Sequence, residues 1–360
     1  MHGWRATIAV GLILACVGRL RADDFPWATQ ADNFRPSGGF AAGVPPGGPS
    51  EPRAPDSGWA APGLIGQSGM EDVTDGIRAG PPAAPTERGF AADAAPAQCG
   101  GWGLDWLPEG LLWHPPMANP REPRCYVTMG NLNGQRVIDT SIGAEFGLLR
   151  FGSADCPEEG FQLDVFGDMY TRFAIRNALT AADYRAGIPL TFASEGWQVK
   201  LSYEHTGCHL GDEYMLLGWN YGIQVPKWQP TNVGRDEAVF GLAREFWDCV
   251  RLYGQFGYSF TSNDDLLGEP RTRYDWGIEY SPVAMRPVIG GPFAAFDMDL
   301  RAETGFIPGV TVEAGWQWKS REKRRSSARL ALVYYAGQSP FGQFYAQRED
   351  WYGFTAIYEW

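Results

Sequence analysis

Beyond its first 22 residues, the sequence has no long apolar run. A membrane-spanning helix needs about 20 consecutive apolar residues, and no later segment approaches that length. If the chain crosses a membrane, it therefore has to cross as a closed β-barrel, the other structure that satisfies its own backbone hydrogen bonds in lipid. The mean hydropathy of -0.28 does not oppose a barrel, because only every second residue of a strand faces lipid.

Histidine and cysteine are both scarce. The four histidines, one of them His2, are too few for a metal site built mainly from imidazole, and the six cysteines form no CxxC pair. Removal of an N-terminal signal would leave Cys99, Cys125, Cys156, Cys208 and Cys249. An odd number allows at most two disulfides and leaves one thiol, with the pairing open. We predict no cofactor.

Basic residues are outnumbered by acidic ones, 30 to 42, which gives a formal net charge of -12. Such a charge disfavours non-specific binding to nucleic acid and to strongly acidic partners. We therefore predict no nucleic-acid partner.

The N-terminal 22 residues have the pattern of a secretory signal peptide. Arg5 precedes an apolar run from Ala6 to Gly18, and Leu20-Arg21-Ala22 forms the predicted cleavage site. The chain is thus expected to be exported. An alternative reads Ile13-Leu14-Ala15-Cys16 as a lipobox with Cys16 lipidated, although Leu14 is unusual at that place.

Two further segments precede the region that has a regular strand pattern. Seventeen of the 27 prolines lie between Asp23 and Arg124, and residues 23–101, rich in Pro, Gly and Ala, are predicted to be a disordered leader. Residues 102–124 are different, because Trp102, Trp106 and Trp113 make them strongly aromatic. We expect this docking segment to pack against the following domain, residues 125–360, rather than to fold alone.

Residues 125–360 alternate between apolar and polar side chains with a period of two, the signature of strands with two different faces. The clearest example runs from Phe161 to Phe173. Twelve such runs can be counted, at about 126–132, 136–151, 161–174, 196–206, 213–224, 238–247, 249–261, 272–281, 293–304, 310–319, 328–336 and 351–360. An even number suits an antiparallel transmembrane β-barrel with both termini on one side.

The last run ends the chain on Trp360. A terminal aromatic resembles the signal by which the barrel-assembly machinery recognises outer-membrane proteins, and the many aromatics suit interfacial girdles. These features predict a location in the outer membrane of a Gram-negative envelope, in contact with its lipids. The alternative is a secreted soluble β-sandwich that acts as a binding module, whose strands alternate equally well.

The polar faces of the predicted strands would line the lumen and carry charges of both signs. A selective pore is expected to concentrate one sign at a constriction, whereas mixed charge favours an ion-paired interior in a narrow barrel. Conduction remains the alternative. The predicted lumen-facing residues are Asp164, Asp168, Arg172, Lys200, Glu204, Arg251, Asp297, Asp299, Arg301, Glu303, Glu313 and Lys319.

The densest group of reactive side chains is the run from His205 to Tyr214. Its candidates for acid–base or nucleophilic chemistry are His205, Cys208, His209, Asp212 and Glu213, and those for a metal site are His205, His209 and Asp212. Glycines at 207 and 211 also permit plain turns, which is the favoured interpretation. The strand count places the run at the periplasmic rim.

A comparison with outer-membrane phospholipase A, also a twelve-stranded barrel, tests the catalytic alternative. The catalytic His and Ser of that family stand two residues apart on one strand. After His205 the corresponding position is Gly207, so the nucleophile is missing, and a Cys208 thiolate would need a lowered pKa. An outer-membrane lipid hydrolase is kept as the alternative function.

Three short motifs resemble an uncharacterised bacterial family, the domain of unknown function 1207. They are Trp106-Leu107-Pro108-Glu109-Gly110-Leu111-Leu112, then Asn119-Pro120-Arg121-Glu122-Pro123-Arg124, then His209-Leu210-Gly211-Asp212-Glu213-Tyr214 at the end of the reactive run. The resemblance covers about Trp106 to Trp360. Because that family has no assigned activity, it implies a grouping and no mechanism. The sequence therefore predicts an outer-membrane barrel with a structural or transport-related role.

Overall fold

The structure, a computed structural model, describes residues 100–174, 177–221, 233–262, 272–282, 288–319 and 326–359. The predicted signal peptide, Cys16, most of the predicted leader and Trp360 lie outside the described residues. The strands are β1 (Trp102–Trp106), β2 (Cys125–Leu132), β3 (Gln135–Ser153), β4 (Cys156–Ala174), β5 (Ala178–Ser194), β6 (Trp197–Leu210), β7 (Val233–Phe246), β8 (Val250–Ser262), β9 (Thr272–Tyr280), β10 (Gly291–Arg301), β11 (Gly309–Lys319), β12 (Ser327–Gln338) and β13 (Arg348–Glu359). One helix, α1 (Asp212–Tyr221), follows β6, and short 3-10 turns span Ala302–Thr304 and Gly342–Phe344.

Twelve of these strands, β2 to β13, close into one antiparallel barrel. Each strand pairs with its neighbour in sequence, and β13 pairs with β2 to complete the ring. The predicted fold class is therefore confirmed. The soluble sandwich is not favoured, because the chain forms one closed sheet instead of two stacked sheets.

The number of strands was predicted correctly through two compensating errors. Residues 178–194, which were left between two predicted strands, form β5. Residues 213–224 were predicted as a strand, but the chain forms the helix α1 over Asp212–Tyr221. In β5, Ala, Gly and Pro weaken the strand signal. In α1, Asp212 and Glu213 occupy the first turn, where acidic side chains favour a helix.

The two errors reverse the predicted position of one segment. Because β5 is an additional strand before β6, β6 runs towards the end of the barrel that carries α1 and not towards the end where the termini lie. We call these the α1 end and the β1 end. The predicted placement of the His205–Tyr214 run at the rim nearest the termini is therefore wrong, and the run lies at the α1 end.

Tight turns connect several strands at both ends. Asn133 and Gly134, between β2 and β3, both have positive φ (49° and 89°), and so do Trp247 and Asp248 between β7 and β8 (53° and 54°). Two successive residues of positive φ match the right-handed twist of antiparallel strands. These turns fix the register of their hairpins.

The outer face of the barrel is apolar, and its inner face is polar. Large apolar side chains such as Ile142, Leu201 and Leu332 are exposed, while 38 polar or charged residues of the described ranges are buried. Exposed aromatics lie towards both ends: Trp197, Phe246, Trp247, Trp316 and Tyr358 towards the β1 end, and Tyr184, Tyr203, Tyr258, Tyr274 and Tyr352 towards the α1 end. This is the inverse of a water-soluble protein and matches a lipid-facing barrel.

In the part of the chain that the structure describes, no helix has the length and apolar character needed to span a membrane.

Candidate functional site: the occupied lumen

Two separate strands, β1 and β2, pair with successive parts of β3, and the chain leaves the barrel wall between them. Strand β3 pairs with β2 through Gln135–Ser141 and with β1 through Leu149–Ser153, so β1 and β2 lie along the same edge of β3. Between them the chain leaves the wall at Leu107 and returns at Cys125. We call residues 107–124 the lumen segment, because most of their side chains are buried or half-buried and several contact the inner faces of the wall strands.

Trp113 is the largest apolar anchor of the lumen segment. Its indole is 1% exposed and packs with Ala243 of β7 and Tyr253 of β8. The Lys200 ammonium and the Arg251 guanidinium lie 5.2 and 5.0 Å from the ring centroid. Both cations therefore face the electron-rich surface of the indole, an interaction that strengthens when water is excluded.

A second apolar contact follows along the lumen segment. Met117 and Ala118 pack with Phe293, Ala295 and Ala331 of β10 and β12. The Met117 N–H also donates to Glu279 Oε1 at 2.6 Å. The segment thus contacts two different parts of the wall, β7 and β8 at Trp113 and β10 and β12 at Met117.

Two arginines tie the far part of the lumen segment to the wall. Arg121 Nη1 lies 2.6 Å from Asp183 Oδ2 and also donates to the carbonyl of Pro340 at 2.7 Å. Arg124 Nη2 lies 3.2 Å from Glu313 Oε1. Asp183 is fully buried, so its charge depends on Arg121 and on the Gly342 N–H, which donates to Oδ2 at 3.0 Å.

The twelve residues predicted to face the lumen are all buried or half-buried. Eight of them are buried, and Asp299, Arg301, Glu303 and Lys319 are half-buried. Most have ionic partners: Arg172 bonds to Asp139 and Glu349, Lys200 and Arg185 to Glu204, Arg251 to Glu279, Arg301 to Asp299, and Arg235 to Glu303. Asp297 accepts from Tyr253, Asp164 from Thr191, Asp168 from Tyr170, and Lys319 donates to Ser281.

Sequence reasoning did not assign Trp113, Arg121 or Arg124 to the lumen, nor the wall arginines 185, 235 and 273. Arg185 lies in the strand that was missed, and Arg235 lies in a strand whose start was misjudged. Arg273 lies within a predicted strand but was not assigned to its inner face. Trp113 and the two segment arginines lie within the predicted docking segment, and its aromatic composition was the available signal. Which wall residue each one contacts depends on the curvature of the closed sheet and has no sequence signature.

One cavity of about 90 Å³ opens at the α1 end, beyond the tip of the lumen segment. A buried water needs roughly 10–15 Å³ of such volume, so the cavity has room for several. Its charged lining residues are Arg121, Arg185, Arg235, Glu237, Arg273, Asp275, Asp299, Arg301 and Glu303. Acidic and basic side chains are interspersed in this lining, so the cavity is a polar recess bordered by ion pairs.

Glu303, in the turn after β10, illustrates the electrostatics of this recess. Burial by itself would raise the pKa of its carboxyl, but Arg235 and Arg301 outweigh that effect and lower the pKa below its ordinary value. Arg235 Nη2 lies 3.0 Å from Glu303 Oε1. The carboxylate is therefore held ionised by its two arginine neighbours.

The reactive run of β6 is divided between the two faces of the wall. Cys208 is buried on the inside, where Gly342 approaches it, whereas His205 and His209 are exposed on the outside. A thiol and an imidazole on opposite faces do not form a nucleophile–base pair. Among the described residues, no group of three or more His, Cys, Asp or Glu side chains could hold a metal ion.

Each of the other candidates in the run has a local partner. His205 Nδ1 lies 2.8 Å from Asp236 Oδ1 of β7, and the His209 ring stands edge-on to Tyr184 with centroids 5.6 Å apart. Asp212 Oδ1 accepts from the Glu213 N–H at 2.9 Å, and Glu213 Oε2 from the Leu179 N–H at 2.6 Å. The two carboxylates fix the start of α1 against β5.

The described cysteines form fewer bridges than the sequence allowed. Cys156 is disulfide-bonded to a cysteine outside the described residues, while Cys125, Cys208 and Cys249 are free thiols. The free cysteines leave at most one disulfide in this part of the chain.

A closed sheet of twelve strands with an apolar exterior and a lumen occupied by its own chain defines a plugged β-barrel. The sequence matches the family described as protein of unknown function (DUF1207) over residues 65–360, and the chain belongs to this family. The predicted resemblance is confirmed, and the match begins before the predicted Trp106. No curated protein matches the sequence.

Several solved structures are similar to the barrel. The calcium-bound dimer of outer membrane phospholipase from Salmonella typhi is 15% identical, with a TM-score of 0.45 over 68% of this chain and 94% of that one. Outer membrane phospholipase A from Escherichia coli is 13% identical, with a TM-score of 0.45 over 65% and 95%. The KdgM porin is 7% identical, with a TM-score of 0.35 over 65% and 99%. At these values none of them assigns an activity to this chain.

Proposed function

We propose that the protein is an integral outer-membrane barrel whose lumen is closed by its own lumen segment, and that it serves as a non-conducting structural protein of the membrane. The observation that carries the proposal is the burial of Trp113 inside the ring, against Gly241 of β7 and with the Lys200 and Arg251 cations 5.2 and 5.0 Å from its ring centroid. In an open pore, the Lys200 and Arg251 cations would instead face the water of the channel.

Three features support the membrane location. Apolar side chains cover the outside of every barrel strand, aromatics lie towards both ends, and the inside is polar. Burying this exterior in hydrocarbon removes a surface that would otherwise aggregate in water. In this proposal, outer-membrane lipids contact the exterior, and the barrel-assembly machinery recognises Trp360, which lies outside the described residues.

The interior favours closure over transport. A selective pore requires a continuous aqueous path with a charged constriction, but here the lumen segment contacts β7, β8, β10 and β12 through Trp113 and Met117. The interior charges are mostly engaged in ion pairs within and between strands. These pairs occupy lumen volume beside the lumen segment and cross-link the ring.

The proposal is tested by reconstituting the purified protein in planar lipid bilayers. Heat-dependent mobility on a detergent gel first establishes that the sample is a folded barrel. The folded protein is expected to insert without producing stepwise ionic currents, with a porin as the positive control. Regular conductance steps from the heat-modifiable form would contradict closure, and a protein that stays soluble without detergent would contradict the membrane assignment.

A further inference from the structure

The polar recess at the α1 end lies between the lumen segment and the turn that joins β12 to β13. Arg121 of the lumen segment and Pro340 and Gly342 of the turn line it, together with residues of the wall. Arg121 Nη1 donates to the Pro340 carbonyl at 2.7 Å, and both Arg121 and the Gly342 N–H bond to Asp183. These bonds join segment, turn and wall around the cavity of about 90 Å³.

Two arginines of the lining retain more exposed surface than the carboxylates that pair with them. The Arg121 side chain is 17% exposed, against 0% for Asp183. The Arg235 side chain is 16% exposed, against 5% for each of its partners, Glu237 and Glu303. The guanidinium groups therefore present N–H groups to the recess, and these carboxylates lie behind them.

Arg121 and Arg301 also have N–H donors that their protein partners do not use. A guanidinium carries five N–H donors. Within the described residues, Arg121 bonds only through Nη1, and Arg301 only through Nε and Nη2. The Arg121 guanidinium also lies 4.8 Å from the ring centroid of Tyr170, which restricts its orientation. The remaining donors of both side chains can bind an acceptor in the recess.

Two further observations indicate that this acceptor is an anion. Arg301 lies close enough to both Arg121 and Arg235 for their positive charges to repel it. The Thr311 hydroxyl, which is buried and also belongs to the lining, has no hydrogen-bond partner among the described residues. An anion in the recess would reduce the repulsion between the cations and would give the Thr311 hydroxyl an acceptor.

Asp299 narrows the choice of anion. Its side chain is 21% exposed, which is more than that of Arg301, its partner at 2.8 Å, and it also bonds to Asp275. A carboxylate offers about four acceptor sites, so Asp299 can accept a further proton donor. An anion that carries its own O–H group fits this lining, whereas an anion without one is repelled. At neutral pH, phosphate retains a P–OH group and sulfate does not.

We propose that the recess binds hydrogen phosphate, either as the free ion or as the phosphate group of a small monoester. Arg121 and Arg301 donate to its oxygens, as does the Thr311 hydroxyl, and its P–OH group donates to Asp299. Arginine is well suited to phosphate, because its planar fork donates two parallel hydrogen bonds. The volume of about 90 Å³ has room for roughly six to nine waters and therefore for a phosphate ion.

This binding function goes beyond the proposed structural role. It requires the lumen segment to lie inside the ring, because Arg121 belongs to that segment, but it requires neither insertion into a membrane nor the absence of conduction. Binding can therefore be measured on the folded protein in detergent micelles, independently of the bilayer experiment.

The test is isothermal titration calorimetry of the folded protein in maltoside micelles, in a buffer without phosphate or sulfate. We expect the wild type to bind inorganic phosphate at least about tenfold more tightly than sulfate, the effect of one charge-assisted hydrogen bond. Glycerol phosphate is the second ligand. If it binds as tightly as inorganic phosphate, the recess accepts a phosphate monoester; if only inorganic phosphate binds, the ligand is the free ion.

Two variants test the donors. Arg301→Gln should weaken phosphate binding by at least about tenfold. Its matched control is Arg329→Gln, because Arg329 is also buried inside the barrel and paired with a carboxylate, Glu359, but does not line the recess. Thr311→Val should weaken phosphate binding by about threefold to tenfold, the effect of one neutral hydrogen bond. This variant should fold, because the hydroxyl that it removes has no partner among the described residues.

Asp299→Asn tests the selectivity. It should reduce the preference for phosphate over sulfate by about tenfold, because sulfate no longer meets a negative charge. The inference would be overturned if the folded wild type bound no phosphate, if it bound phosphate and sulfate equally, or if Arg329→Gln weakened binding as much as Arg301→Gln. Phosphate binding by a protein that conducts ions in bilayers would contradict the proposed closure and leave the recess intact.

Discussion

Trp113 and Gly241 fit closely together inside the barrel. The indole lies so near to β7 that a Cβ on Gly241 would come within 2.7 Å of ring atom Cη2. The Trp113 ring can therefore occupy this position only because residue 241 of the wall is a glycine and has no side chain. Gly241→Ala should destabilise the folded barrel by about 1–3 kcal/mol, the usual effect of overpacking a filled interior, measured by urea unfolding in detergent micelles.

The cause of that loss can be tested with a second substitution. In a Trp113→Ala background, Gly241→Ala should change the free energy of unfolding by less than about 0.5 kcal/mol, because the clashing ring is gone. Gly167→Ala, at a strand position with nothing within 4 Å, is the control. Additive effects of the two substitutions would mean that Trp113 does not lie against Gly241.

Arg121 and Asp183 should be energetically coupled. Arg121→Met is expected to cost about 3 kcal/mol, because it leaves a fully buried carboxylate with fewer donors. In Arg121→Met/Asp183→Asn, the loss should be smaller than the sum of the single losses by about 1–3 kcal/mol. Arg136→Met, at an exposed position, should change stability by less than about 0.5 kcal/mol. A coupling near zero would place Arg121 away from β5.

Stability at acid pH should depend on Glu303. Its pKa is lowered in the folded protein, so its ion pairs stabilise the fold fully above its unfolded pKa of about 4.3 and are lost as the pH falls through the folded pKa. The stability difference between wild type and Glu303→Gln should therefore be largest above about pH 5 and shrink towards pH 3. Unfolding in urea across this range measures it, and a pH-independent difference would exclude this role.

Labelling of whole cells can show which end of the barrel faces outwards. If the termini are periplasmic, the α1 end is outside the cell. In a Cys249→Ser background, Met215→Cys in α1 should react with an impermeant maleimide on intact cells, and Val288→Cys at the β1 end only after permeabilisation. Both positions are exposed, by 49% and 92%. The opposite labelling pattern would invert the orientation.

The sequence was sufficient to predict the barrel, because a closed sheet in lipid requires an apolar outer face and a polar inner face. Runs such as Phe161–Phe173 show this alternation directly, and β4 contains that run. Strand β5 was missed although Tyr184, Ile188 and Leu190 alternate with inward residues, since Ala and Pro dilute the signal. The local sequence pattern thus fails to predict a strand where the strand propensity is weak and pairing with the two neighbouring strands determines the structure.

The site was less accessible to sequence reasoning than the fold. The candidate run was recognised from its composition. His205 and Cys208 are three positions apart and so face opposite sides of a continuous strand. The sequence prediction missed this because its strand ended at residue 206, whereas β6 continues to Leu210. The wall residues that contact Arg121 and Trp113 are 49 or more residues away along the chain. Contacts at such a separation arise only when the ring has closed.

The central claim, that residues 107–124 occupy the lumen, is tested most directly by hydrogen–deuterium exchange of the folded protein in micelles. The amides of His114 and Met117 donate to Gln198 and Glu279 inside the ring, and they should exchange at least about 100-fold more slowly than in the unfolded chain. Exchange of this segment at the unfolded rate, while the barrel strands stay protected, would contradict a closed lumen.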